Sequence, residues 1–190
     1  MGAPMADRPL VFAGYAGSLR AGSYNQLLLR ALAKATPPNV RVEVMDIAQL
    51  PLFNVDHESA PPEAVTRVRE SIRKADGLII VTPEHNGTIP AVTKNVIEWA
   101  SRPSDDSVLE RKPAAILGAS TGYYGTMRAQ AALRQIATIE EIYFMVNPEI
   151  RVSRAAGKFD ERGELTDDEL RNELTEFLAA FAVWVRRFQV

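Results

Sequence analysis

Five stretches rich in apolar residues recur along the chain: LVFAGYA (10–16), VRVEVMDI (40–47), GLIIVTP (77–83), AAILGAS (114–120) and IYFMVNPEI (142–150). Each has strand length and is bounded by turn-forming residues, so each predicts a β-strand. Between them the apolar positions change to helical spacing. Leu28, Ala31, Leu32 and Ala35 follow an i, i+3, i+4, i+7 pattern, and so do Ala129, Ala132, Leu133, Ile136 and Ala137. The clearest stripe is the last, with Leu170, Leu174, Phe177, Leu178, Phe181 and Val185 on one face. Thr166 and Glu169 have the spacing of a capping box at its start, with Leu165 and Leu170 placed as a hydrophobic staple. Strands that alternate with helices, and that run apolar without a break at 78–81 and 114–117, predict a parallel sheet covered on both faces. The expectation is an α/β fold of five strands and five helices, one domain over residues 1–190, with residues 1–8 a flexible lead. Polar segments at 51–62, 101–113 and 153–165 predict loops.

Composition narrows the function. With 190 residues, 46% of them hydrophobic and 24% charged, the chain has the makeup of one globular domain. A formal charge of −2 supplies no basic field for nucleic-acid phosphates or anionic lipid, so neither is an expected partner. No cysteine is present, which removes disulfides, thiol nucleophiles and thiolate metal sites. Two histidines, His57 and His85, are too few for a histidine-rich metal centre. No apolar run approaches the ~18 residues of a bilayer span, and MGAPMADRP lacks the apolar core of a signal peptide. A cytoplasmic protein without a metal is expected.

The chemistry lies in the loops that leave the strands. In a doubly wound sheet, ligands gather outside the carboxyl ends of the strands, where the winding reverses. After the first strand, GSLRAGS (17–23) has the glycine spacing of a Walker loop but no lysine before its final serine, which argues against triphosphate hydrolysis. GYAGSL (14–19) likewise lacks the Gly-x-Gly-x-x-Gly of a dinucleotide fingerprint, although Asp46 stands after strand two. What remains suits one terminal phosphate. Ser23 and Gln26 have capping-box spacing, which would aim helix amides and the positive dipole end into the loop. Ser18, Ser23 and Asn25 add small neutral donors, and Arg20 adds a charged fork. The plainer alternative is that these residues only cap a helix and turn the chain. Two more loops, TPEHNGTIPAVTKNVIEWASR (82–102) and GASTGYYGTMRAQ (118–130), leave strands three and four at the same edge. Together the three predict a slot wide enough for a flat ring.

The strings GSLRAGSYN, PEHNGTIPAVTKNVIEWASR and STGYYGTMRAQAALRQ resemble the NADPH-dependent FMN reductases of flavodoxin-like fold, which include quinone, azo-dye and chromate reductases. The resemblance implies a flavodoxin-like three-layer α/β/α sandwich with strand order 2-1-3-4-5, an FMN cofactor with NADPH or NADH as cosubstrate, and a homodimer or homotetramer. It places Ser18, Arg20, Ser23, Tyr24 and Asn25 at the FMN phosphate. Pro83, Glu84, His85, Asn86 and Gly87 would line the ring and ribityl chain, and Ser120, Thr121 and Gly122 would border the pyrimidine side, with amides of 119–122 favouring the reduced flavin. His85 stands where the family often has Tyr, and Tyr123-Tyr124 where it often has glycines. The flavin then carries the chemistry, with no catalytic side chain required. Small-molecule acceptors such as quinones, azo dyes, nitro compounds or metal ions would share one ring face with NAD(P)H in ping-pong order. Glu84 is expected in an ion pair with Arg128 or Arg134, Trp99 in the core and His57 in solvent. The competing readings are a flavodoxin-like electron-transfer protein and a phosphate-binding regulator without turnover.

Overall fold

The computed structural model describes residues 8–189, so the lead proposed at 1–8 lies, but for Arg8, outside the described residues. The strands are β1 (Leu10–Ala16), β2 (Val40–Val44), β3 (Gly77–Val81), β4 (Pro113–Ala119), β5 (Tyr143–Phe144) and β6 (Ile150–Val152). The helices are α1 (Tyr24–Lys34), α2 (Glu63–Lys74), α3 (Ala91–Ala100), α4 (Met127–Glu140) and α5 (Asp168–Arg186). Every strand pair is parallel, in the order β2-β1-β3-β4-β5 with β6 also on β4. This is the flavodoxin-like order.

Alternate residues of β1 feed two cores. Phe12 joins Leu28, Leu32, Phe177 and Phe181 under α1 and α5. Ala13 and Tyr15 join Val68, Ile72, Val96 and Ile97 under α2 and α3. Phe12 and Phe181 meet at a ring separation of 4.6 Å, and both are fully buried. Each such side chain contributes about 1.5–3 kcal/mol of transfer free energy, which is why α5 is the firmest helical stripe in the sequence.

The last strand and the start of α5 differ from expectation. The single strand expected at 142–150 is two short ones, with β5 paired to Pro113 and Ala114 and β6 to Leu117–Ala119. Pro148 has no N–H to donate to a ladder, so pairing lapses after the Met145 amide, which still donates to the Ala114 carbonyl at 2.8 Å, and resumes at Ile150. The cap of α5 sits one residue later than Thr166: the Asp167 carboxylate accepts the Leu170 amide at 2.9 Å. Thr166 instead donates to the Lys158 carbonyl at 3.2 Å. A carboxylate at the N-cap also meets the helix dipole, which an uncharged threonine does not.

Candidate functional site

Three loops meet beyond the carboxyl ends of β1, β3 and β4, and short-range contacts bind them into one rim. Gly17 opens the first. Its N–H donates to the Val81 carbonyl at 2.8 Å, and a Cβ there would stand 1.9 Å from Thr93 Oγ1, so only glycine lets α3 approach this closely. Ser23 is the N-cap of α1 with extended backbone, but its hydroxyl makes no cap bond, and Gln26 Nε2 donates to the Ser18 carbonyl at 2.8 Å. The capping box expected from Ser23 and Gln26 therefore does not form, because Gln26 closes the loop instead. No described group accepts from the amides of Tyr24, Asn25 and Gln26. Those amides are the bare positive end of α1. Arg20 stands exposed at the loop apex, its guanidinium 5.8 Å from the Tyr24 ring centre.

Asn25 departs from its expected role. Its side chain is buried and bridges to β4, with Nδ2 donating to the Ala119 carbonyl at 2.9 Å and Oδ1 accepting the Ala119 amide at 2.8 Å. The side-chain amide expected at a phosphate is committed to joining the first and third loops, and only its main-chain N–H faces the anion end.

In the second loop, Asn86 at φ 51° and Gly87 at φ 78° turn the chain tightly, and His85 and Thr88 exchange main-chain hydrogen bonds of 3.0 Å. Two successive left-handed residues make a type I′ turn, for which Asn-Gly is the favoured pair. The turn holds 85–88 out at the rim, exposed, while Pro83 is buried beneath. Glu84 ties the second loop to the third. Its carboxylate accepts the Arg128 amide at 2.9 Å and the Arg128 guanidinium at 2.9 Å, capping α4 from another loop. Of the two partners expected for Glu84, Arg128 is the one used. Arg134 pairs with Glu149.

The third loop is the most closely tied. The Ser120 amide donates to the Val152 carbonyl at 2.9 Å and the Gly122 amide to Ser120 Oγ at 3.0 Å. With the Ala119 amide held by Asn25, three of the four amides at 119–122 are spent within the protein, and Thr121 alone presents an N–H with no described acceptor. The expected array of amides for a reduced ring is thus a single donor. Tyr123 and Tyr124 are 73% and 57% exposed and meet edge to face at 5.4 Å. Arg154 and Arg128 lie over their rings at 6.0 and 5.2 Å. Behind this rim, Asn95 and Trp99 fasten the loop after β2: Trp99 Nε1 and Asn95 Nδ2 both donate to the Pro51 carbonyl at 2.9 Å. Trp99 is buried, and His57 is exposed on that loop.

The model of the NADPH-dependent FMN reductase family matches residues 11–157, which span all three loops. The chain belongs to that family. It is 44% identical over 177 residues to an NAD(P)H-dependent FMN reductase of Pseudomonas aeruginosa, covering 93% of this chain and 95% of the relative. It is 40% identical over 170 residues to a 2-hydroxy-1,4-benzoquinone reductase of Burkholderia, covering 90% and 93%. Among solved structures it superposes on the flavoenzyme NAD(P)H:(acceptor) oxidoreductase FerB of Paracoccus denitrificans with a TM-score of 0.86 at 32% identity, over 94% of this chain and 98% of that one.

As a member of the NADPH-dependent FMN reductase family, the protein is an oxidoreductase, and its rim fits a flavin mononucleotide. Bare amides at the start of α1 match a phosphate, and the exposed Asn-Gly turn and Thr121 amide lie across an open edge. The residues missed by sequence reasoning are the fasteners. Thr93, Thr126 and Gln130 are buried polar groups that seat α3 and α4 against the strand ends, with Gln130 Nε2 donating to Thr126 Oγ1 and to the Ile150 carbonyl. No local pattern marks such residues.

Burial alone would raise the Glu84 carboxyl, but the Arg128 guanidinium together with the Arg128 and Ala129 amides outweighs it and holds the group below its ordinary 4.5. A depressed carboxylate stabilises the fold in full above about pH 4.5 and loses that contribution as pH falls through the folded value. Glu84→Gln should therefore melt below the wild type near neutral pH, and the gap between the two should close as pH falls through the depressed folded value. Thermal melts across that range check this. A gap independent of pH refutes the ion-pair account.

Proposed function

We propose that the protein is an NAD(P)H-dependent, FMN-containing reductase of quinone-class small molecules, in which donor and acceptor use one open flavin face in turn. The observation that carries the reading is the row of unaccepted amides at Tyr24, Asn25 and Gln26, set beside an exposed rim that needs no side-chain acid or base. Main-chain donors at a helix start bind a phosphoryl group with little reorganisation. Ser18 and Ser23 flank them, and Arg20, free at the apex, swings over the anion as a charged clamp. Pro83, Asn86 and Gly87 border the ring on one side and Thr121 on the other, while Glu84, through Arg128, positions the third loop without touching the ring.

FMN, when bound, supplies the two-electron chemistry. The chain's part is to anchor the phosphate, hold the rim still and leave one face open. One free amide at Thr121 is a weak brace for the charge of a reduced ring, so the bound flavin should keep a potential close to that of free FMN. The benzoquinone reductase of Burkholderia supports a quinone acceptor here. No helix among the described residues is long and apolar enough to cross a membrane, in keeping with a cytoplasmic site of action. A homodimer or homotetramer completes the reading, supported by exposed Leu52 and Val55 on the fastened loop after β2.

Initial rates with NADPH and a benzoquinone varied together test the order of events. Parallel lines in reciprocal plots are expected. Intersecting lines would show that both molecules bind at once, and a yellow protein that NADPH fails to bleach would return the assignment to an electron-transfer protein.

A further inference from the structure

A second cleft opens beside the phosphate loop, on the face of the sheet that carries α1. It has a volume of about 300 Å³ and runs from Ser18 and Leu19, along Gln26 and Arg30 of α1, to the chain leaving the edge strand β2 at Val44–Ala48. That is the lower end of the size range of small-molecule sites, enough for a nucleoside and too little for a whole dinucleotide. Its walls divide chemically. Leu19 and Val44 are large apolar side chains left 52% and 53% exposed, and the buried Leu29 and Ile47 also line the cleft. An apolar lining of this kind suits a flat heterocycle.

Two charged groups that line the cleft have spare capacity. Asp46 spends one oxygen on the Ala48 amide at 2.9 Å, and no described residue donates to the other. Arg30 donates from Nε to the Gln26 carbonyl at 3.4 Å, and its terminal nitrogens have no described acceptor. A carboxylate just past the second strand of a doubly wound sheet is placed to accept ribose hydroxyls, and a nearby arginine to take a phosphate. Here the arginine and the carboxylate line one cleft together with Ser18 and Gln26, which are bonded to each other in the phosphate loop.

We propose that this cleft is an adenylate site: an adenine ring between Leu19 and Val44, its ribose on Asp46 and its 5′-phosphate on Arg30. Loop one lacks the glycine spacing that seats a pyrophosphate on bare backbone, which is why the recognition falls on side chains. The same chemistry is carried by the adenosine end of NAD(P)H and by the adenylate half of FAD. Either would explain why an apolar slot adjoins a flavin loop, and the assignment of that loop rests on the function proposed above.

The test uses the FMN-loaded protein. Calorimetric titration with 5′-AMP should give a Kd of about 1 mM or tighter. Val44→Trp, which fills the slot from an exposed edge-strand position, and Arg30→Gln should each weaken it by about tenfold. FMN affinity, measured on the same variants by flavin fluorescence, should not move. Two further arms name the source. A raised KM for NADPH in both variants assigns the site to the electron donor, whereas a selective loss of FAD's ability to displace FMN assigns it to FAD. No detectable 5′-AMP binding, or binding that both variants leave intact, overturns the proposal. Failure of the wild type to hold FMN at all would instead overturn the flavin reading, and the two results are separate.

Discussion

Asn25→Leu should destabilise the protein by about 3 kcal/mol and lower its melting temperature by about 6–12 °C, with FMN affinity falling alongside. The side chain at 25 is buried and satisfies both polar groups of Ala119, the last residue of β4. Leucine keeps most of the volume and removes both partners. Each buried main-chain group left unpaired costs about 1–3 kcal/mol, and the two lie where water has no ready access. The coupling to FMN comes from position. Asn25 sits in the first turn of α1, among the bare amides, and Ala119 leads directly into the third loop. Without the bridge, the two sides of the slot lose their common register. Asn25→Asp keeps the acceptor for the Ala119 amide and loses the donor, so its melting temperature should fall between wild type and leucine. Equal melting temperatures for wild type and Asn25→Leu would show that the bridge carries no weight.

Gly118→Ala tests the rim from the sheet side. A Cβ at 118 would lie 2.2 Å from the Thr82 carbonyl oxygen and 2.2 Å from Thr126 Oγ1. The threonine can rotate, but the carbonyl belongs to a strand end whose own amide is bonded to Leu117 at 2.9 Å. Relief therefore means parting β3 from β4 at the point where the second and third loops begin. Overpacking of this kind costs about 1–3 kcal/mol, and the displaced loops should weaken FMN binding by about tenfold. Gly157→Ala is the control, since a Cβ there meets nothing within 4 Å. If Gly118→Ala binds FMN as tightly as the control does, the rim tolerates movement and the close packing at its base is incidental.

The two variants mark where sequence reading stops. Strand and helix positions are legible because they come from periodicities of two and 3.6 residues, properties of the local chain. The parallel sheet is legible from unbroken apolar runs. The division of 142–150 into two strands is not, because an apolar run does not disclose a missing donor's effect on pairing; Pro148 is visible, but its partner strand is not. The cap of α5 lies one residue beyond its expected place because Thr166 and Asp167 are both competent caps, and the contact with the Lys158 carbonyl, made through the fold, draws Thr166 away.

The site divides along the same line. The amino-acid sequence by itself determined the α/β class, the three small-residue loops at one edge, the lack of any thiol and the flavin-reductase motifs, because these rest on residue types and near-neighbour spacing. Only the tertiary structure decided which donors are free. The side chains of Asn25 and Glu84 and the amides of Ala119 and Ser120 all read as ligands in a linear string. Each is claimed by a partner distant in sequence, 94 residues away for Asn25 and 44 for Glu84. A hydrogen-bonding group can spend its capacity once, and its competitors for that capacity are set by what the folded chain brings within about 3 Å.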